Sequence, residues 1–164
     1  MNIEQESYTN PEGDNIVIVL KPKERLDITT AWQFRLKLQE CISKLSHHVI
    51  VNLEQVDFID SSGLTSLVAG MRDADKVQGS FSICNVHPEA KLVFEVTMMD
   101  TVFEIFDTEL EAVKAIFPKF VYEDSQSNGV DIHHNSDNNS STESKTQSNH
   151  VLHSVADEST SAPS

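Results

Sequence analysis

Along the first 117 residues, short apolar runs alternate with stretches whose apolar residues recur at helical spacing. Residues 16–20 (Ile16, Val17, Ile18, Val19, Leu20) read as a strand buried on both faces, ended at Lys21-Pro22. Residues 3–8 form a weaker edge strand before it, and Asn10, Pro11 and Gly13 supply a turn, so the two read as a hairpin. Leu26 and Asp27 lead into a first helix capped by Thr29 or Thr30, whose core face is Ala31, Phe34, Leu38, Cys41 and Leu45. Trp32 and Leu36 lie off that face, either widening it or belonging to a contact surface. Val49, Ile50, Val51 and Leu53 mark a second buried strand, followed by a short connection over residues 54–59. Asp60, Ser61, Ser62 and Gly63 then offer capping residues to a helix over 62–77, with Leu64, Leu67, Val68 and Met71 on its apolar face. Gly79 ends that helix.

The remaining elements continue the alternation. Residues 80–86 read as a strand. Residues 88–96 read as a helix with Pro88 in its first turn and Leu92, Val93 and Val96 as its apolar side. Residues 102–106 read as a short strand, and Thr108 caps a last helix that packs through Leu110, Val113, Ala115, Ile116 and Phe117. Right-handed crossovers between these elements give an α/β fold, with a mixed, largely parallel sheet of four to five strands and about four helices. Roughly 115 residues bury over ~60% of their unfolded surface, enough for one core. This places a single domain over residues 1–122.

Composition shifts from about residue 123. Residues 123–164 hold 11 serines and five asparagines, no aromatic residue and few branched aliphatics. Such a stretch does not offset its ordering entropy and is expected to be a disordered C-terminal tail. Val151, Leu152, His153, Ser154 and Val155 are its one candidate contact motif, and the spacing of His133, His134, His150 and His153 matches no defined metal site.

Charge narrows the partners. The net charge is −14, with 19 acidic and 11 basic side chains in residues 1–122 and seven against one in residues 123–164. No basic cluster offers a stripe for nucleic acid or an anionic membrane, so neither is expected as a partner. Cys41 and Cys84 fall on apolar faces and read as buried free thiols. An acidic, polar start without a signal-peptide pattern, and no run of ~20 apolar residues, lead to the expectation of a cytoplasmic protein.

The candidate chemistry lies in residues 60–63. A hydrolase nucleophile elbow needs Gly-x-Ser-x-Gly, but residue 59 is isoleucine, and His47, His48 and His87 stand in no telling context. A receiver-type phosphoacceptor role for Asp60 needs an acidic pair after an early strand to hold Mg²⁺, where this chain has Lys21-Pro22-Lys23. No phosphate-cradling Gly-x-x-x-x-Gly-Lys loop occurs. Catalysis and a cofactor are therefore not expected. The plainest role for Asp60 and Ser61 is a helix cap worth about 1 kcal/mol.

From about residue 3 to 117 the sequence resembles a STAS domain, in particular the free-standing bacterial anti-sigma-factor antagonists. The resemblance rests on Val49-Ile50-Val51-Asn52-Leu53, on Val56-Asp57-Phe58-Ile59-Asp60-Ser61-Ser62-Gly63-Leu64, on Arg25-Leu26-Asp27, and on the segment opened by Pro88-Glu89-Ala90. It implies a STAS fold and phosphorylation of Ser61, with Asp27, Asp60, Ser62, Gly63 and Leu64 supporting the phosphosite or contacting the partner. It implies as partners an anti-sigma factor that is also a serine kinase of the histidine-kinase-like ATPase type, and a PP2C-type serine phosphatase. The unphosphorylated form would hold the anti-sigma factor and free the sigma factor, a role in transcription regulation. Ser62 and Thr65 are neighbouring hydroxyls that could share the modification. The alternative within the same fold is a non-switching scaffold, or a module binding a nucleotide or other small ligand at the same turn.

Overall fold

The computed structural model describes residues 1–117 and, beyond them, the backbone of residues 120–121, 135–137, 147–151 and 153–154. Strands β1 (Ile3–Thr9) and β2 (Ile16–Pro22) form the expected hairpin, with Thr9 opposite Ile16 and Ile3 opposite Pro22. Three parallel strands extend the sheet from β2: β4 (His48–Asn52), β6 (Ser80–Cys84) and β7 (Glu104–Phe106). The order β7-β6-β4-β2-β1 is the mixed, largely parallel sheet of the sequence reading. On the outer edge of β1, Gln147–Val151 pairs in parallel, and Asn135–Asp137 pairs with that segment in turn. Phe120–Val121 and His153–Ser154 form a separate two-stranded pair. The expected disorder, the contact motif and the histidine group of the tail otherwise fall outside the described residues.

Alternation along the strands assigns the two faces of the sheet. Val49, Val51, Phe81 and Ile83 meet Phe34, Leu38, Leu67 and Phe94 from α1 (Ala31–Glu40), α2 (Ser61–Lys76) and α3 (Pro88–Val96). Val17, Val19, Ile50 and Cys84 face the other way, onto Ala112, Val113 and Phe117 around α4 (Glu109–Ile116). Both cysteines are buried and free, and burial pushes the Cys84 thiol well above its ordinary range. Among the described residues no helix is long and apolar enough to cross a membrane.

Four details depart from the sequence reading. Residues 54–59 are more than a connection: β5 (Val56–Ile59) pairs in parallel with β3 (Glu24–Leu26), which the sequence pattern did not mark. Glu24 adopts a positive φ of 74° just after Pro22, which turns the chain off the main sheet. The Glu24 N–H then donates to the Gln55 carbonyl at 2.7 Å. Leu45 is exposed while Ile42 is buried, because α1 runs into a π-helical turn over Cys41–Leu45 that rotates the buried face. Trp32 and Leu36 do not widen the core and stay exposed. On α3 the buried pair is Ala90 and Phe94, with Phe94 edge-on to Phe103 at 6.0 Å between centroids, while Leu92 and Val96 face outward.

Gly79 also works differently from a helix-ending glycine. The left-handed residue after α2 is Gln78 (φ 59°), whereas a Cβ on Gly79 would lie 1.8 Å from the His47 carbonyl oxygen. Close backbone approach, rather than conformational freedom, requires glycine there.

Candidate phosphorylation turn

The turn is built where β5 hands the chain to α2. Asp60 is extended (φ −115°, ψ −172°) and caps the helix: its Oδ1 accepts from the Ser62 N–H at 2.8 Å and the Gly63 N–H at 3.0 Å. Two donors that every helix start leaves unpaired are thereby satisfied by a carboxylate, which the positive end of the helix dipole favours. The other oxygen, Oδ2, accepts from the Ile28 N–H at 3.1 Å. One carboxylate therefore ties the start of α2 to the loop that precedes α1.

Gly63 makes the same junction possible sterically. A Cβ at this position would stand 2.1 Å from the Leu26 carbonyl oxygen, so the last residue of β3 rests directly on the first turn of α2. Leu64 is buried and joins the core. Ser62 is half-buried. Ser61 is the first residue of α2, is exposed, and takes no part in the cap. The sequence reading had Asp60 and Ser61 sharing the capping role; Asp60 alone performs it. Thr65, one turn on, is exposed and donates its hydroxyl to the Ser61 carbonyl at 2.8 Å.

Asp27 is 7% exposed, and its carboxylate organises the neighbouring loop. Oδ1 accepts from the Thr29 hydroxyl at 2.6 Å and the Thr29 N–H at 2.9 Å, while Oδ2 accepts from Arg25 Nε at 2.8 Å. These bonds hold the Asp27 carboxyl below its usual range, the Thr29 hydroxyl contributing most. Neither threonine caps α1 by side chain: Thr30 stands at the N-cap but donates its hydroxyl to the Arg25 carbonyl at 3.0 Å. The Arg25 guanidinium lies 4.9 Å from the centroid of the Phe58 ring, a cation–π contact. The Asp27–Ile28 peptide, through its N–H, thus links the Asp27 loop to the Asp60 carboxylate, and Ser61 is exposed beside it.

Arg25, Thr29, Ile28 and Phe58 were not singled out as site residues from the sequence, apart from the presence of Arg25 in the Arg-Leu-Asp element. The apolar alternation of Val56 and Phe58 was the available signal for β5.

This arrangement, an α/β sheet with a carboxylate-capped helix presenting a serine, defines the class of protein. The STAS domain family matches residues 8–112, and the chain belongs to that family. More particularly, it is similar to an anti-sigma F factor antagonist of Paenibacillus polymyxa, 24% identical over 59% of this chain and 84% of the relative. It is also similar to an anti-sigma-factor antagonist (STAS) domain protein of Planctomyces limnophilus, at 27% identity and TM-score 0.58 over 70% of this chain and 98% of the other. The Bacillus cell fate determinant SpoIIAA in its phosphorylated form is similar at 27% identity and TM-score 0.50, over 61% of this chain and 90% of the other.

Proposed function

We propose that this chain is an anti-sigma-factor antagonist that works as a phosphorylation-controlled partner switch, with Ser61 as the acceptor. The observation that carries the proposal is that Asp60 alone fills the cap of α2, leaving Ser61 exposed at its first position. Ser61 is free for modification without loss of the helix start. In the unphosphorylated state the chain binds an anti-sigma factor of the histidine-kinase-like ATPase type, which is also the serine kinase. A PP2C-type phosphatase restores that state. The chain supplies the acceptor hydroxyl, and the catalysis belongs to its partners.

The electrostatics support a switch that needs no refolding. Phosphate adds about −1.5 to −2 charges at a helix N-terminus, where negative charge is tolerated. A partner docked there meets that charge beside Asp60. A unit like-charge contact at ~6 Å with an effective dielectric of ~20 costs roughly 3 kcal/mol. At about 1.4 kcal/mol per decade, that exceeds a hundredfold in affinity. Asp27 acts from beneath as a positioning residue, because its carboxylate is buried in its own loop. Gly63 and Leu64 hold the turn against β3 and the core, and Ser62 contributes its N–H to the cap.

The test is phosphopeptide mapping after incubation with the kinase and ATP, with binding titrations of Ser61→Ala and Ser61→Asp. Phosphate on Ser61, full affinity for Ser61→Ala and roughly a hundredfold loss for Ser61→Asp are expected. Equal affinity of the parent and both variants would end the proposal, as would phosphate confined to Ser62 or Thr65.

A further inference from the structure

The face of the sheet that carries α4 is only partly covered. α4 is eight residues long and packs through Ala112 and Val113 onto Val17, Val19, Ile50 and Cys84. Toward the starts of β4, β6 and β7 the same face turns polar: by alternation His48, Ser80, Ser82 and Glu104 share it with Ile50 and Cys84. Between these strands and α4 lies a cavity of about 280 Å³. Ala112 and Ala115 border it from the helix, and their single methyl groups leave the space open. Phe106 and Ile116 are its apolar walls. Ser82 is the residue of this cavity that packing does not explain. It is 4% exposed, and its hydroxyl has no hydrogen-bond partner. Its cross-strand neighbours are Ile50, which offers no polar group, and Glu104. Buried polar side chains are nearly always paired, so an orphan beside a cavity marks a place for an outside partner. Glu104 is exposed at the cavity, and its side chain makes no hydrogen bond or ion pair among the described residues. His48 is already engaged, its Nδ1 lying 2.8 Å from Ser80 Oγ. Burial and the neighbouring His47 lower its pKa, so the ring is neutral at pH 7.

We infer that this cavity is a ligand site for a small primary amine with an apolar body of one ring. The ammonium group, which has three donors and no acceptor, donates to the Glu104 carboxylate and to the Ser82 hydroxyl opposite it. The ring lies against Phe106 and Ile116. Charge sets the ligand class. No lysine or arginine borders the cavity, His48 is uncharged, and Glu104 is the one acidic side chain there. A carboxylate or phosphate would meet Glu104 with nothing to offset the repulsion. Volume sets the size, since the cavity stands at the lower end of the roughly 300–1,000 Å³ that small-molecule sites occupy. A single ring fits that space, and a nucleotide does not. The site lies on the α4 face of the sheet, opposite α2, and does not depend on the partner-switch reading of Ser61.

The experiment records amide NMR spectra of the isotope-labelled full chain during titration with phenethylamine. A second titration uses phenylpropionate, which carries the same ring and the opposite charge. Saturable shifts confined to residues 80–82, 104–106 and 112–116 are expected with the amine at millimolar concentration, and none with the carboxylate. Glu104→Gln should weaken amine binding about tenfold and Ser82→Ala about fivefold. Both variants should stay folded, because Glu104 is exposed and the Ser82 hydroxyl makes no bond in the free protein. The dispersion of the same spectra verifies that. Equal binding of the carboxylate overturns the inference, as does amine binding that both folded variants leave unchanged. Saturable shifts that fall elsewhere on the chain, or none at all with the amine, overturn it as well.

Discussion

Two helices of this molecule begin in the same way and treat their first residue in opposite ways. At α2, Asp60 caps and Ser61 follows, exposed. At α4, the Thr108 hydroxyl accepts from the Glu111 N–H at 3.1 Å, and Glu111 reaches back to the Asp107 N–H at 3.2 Å, a reciprocal pair of capping bonds. Glu109, the first residue of α4, turns inward. Its carboxylate accepts from the Tyr8 hydroxyl and from Asn52 Nδ2 (2.8 Å), and it lies 3.4 Å from Lys21 Nζ. Lys21 is also paired with Glu6. Burial works to lower the Lys21 pKa, but Glu109 and Glu6 outweigh it and hold the ammonium above its ordinary value. One helix start is closed by a polar network that fixes α4 on the sheet. At the other, the cap comes from the preceding residue and the first side chain stays exposed, as the proposed modification of Ser61 requires.

That contrast can be broken at several points, with the largest loss at the junction beneath Ser61. Gly63→Ala forces a methyl group against the Leu26 carbonyl, a backbone atom that cannot rotate away. Destabilisation of about 3 kcal/mol is expected in urea unfolding, together with loss of partner binding. Wild-type stability would mean that α2 and β3 leave room for a methyl group between Gly63 and the Leu26 carbonyl.

Glu109→Ala should cost about 2 kcal/mol, since the well-buried Asn52 amide loses its carboxylate partner. Partner affinity should stay within twofold of the parent, because α4 lies on the opposite face from α2. A parallel loss of binding would show that the two helix starts are coupled through the sheet.

Asp27→Asn sharpens the comparison through pH. The folded Asp27 carboxyl lies below its ordinary value of 3.8, so its stabilisation is full above that value and is lost as pH falls through the lower folded value. Melting temperatures of parent and variant should therefore differ near neutral pH and converge in acid. A gap that persists unchanged well below pH 3.8 assigns the effect to shape rather than charge.

The smallest effect belongs to Ser61→Ala, expected within ±0.5 kcal/mol of the parent in the same unfolding assay. A loss near 1 kcal/mol, the size of a helix cap, would return Ser61 to a capping role.

Much of this was legible along the chain because it depends on neighbours in sequence. The hairpin, the buried strands, Thr108 as a cap and the start of a helix at Asp60 follow from local patterns and short-range hydrogen bonding. Ser61 as the proposed acceptor was legible only through the family resemblance, since a capping serine and a phosphorylated one are the same residue in the same place. What the pattern could not reach was contact between distant segments. α3 carries two apolar stripes, Ala90 with Phe94 and Leu92 with Val96, and periodicity does not say which meets the sheet. α1 likewise has a second apolar line in Trp32 and Leu36, left outside once Phe34 and Leu38 fill the core. The β3–β5 pair, the rest of Leu26 on Gly63 and the bond from Ile28 to Asp60 join residues more than 30 positions apart. Local helical and strand periods account for the four helices and the strands of the main sheet over residues 1–117, but not for the β3–β5 pair. Which apolar face of α1 and of α3 closes on the sheet follows from packing between distant segments, because two faces of similar apolarity compete and only one meets the strands.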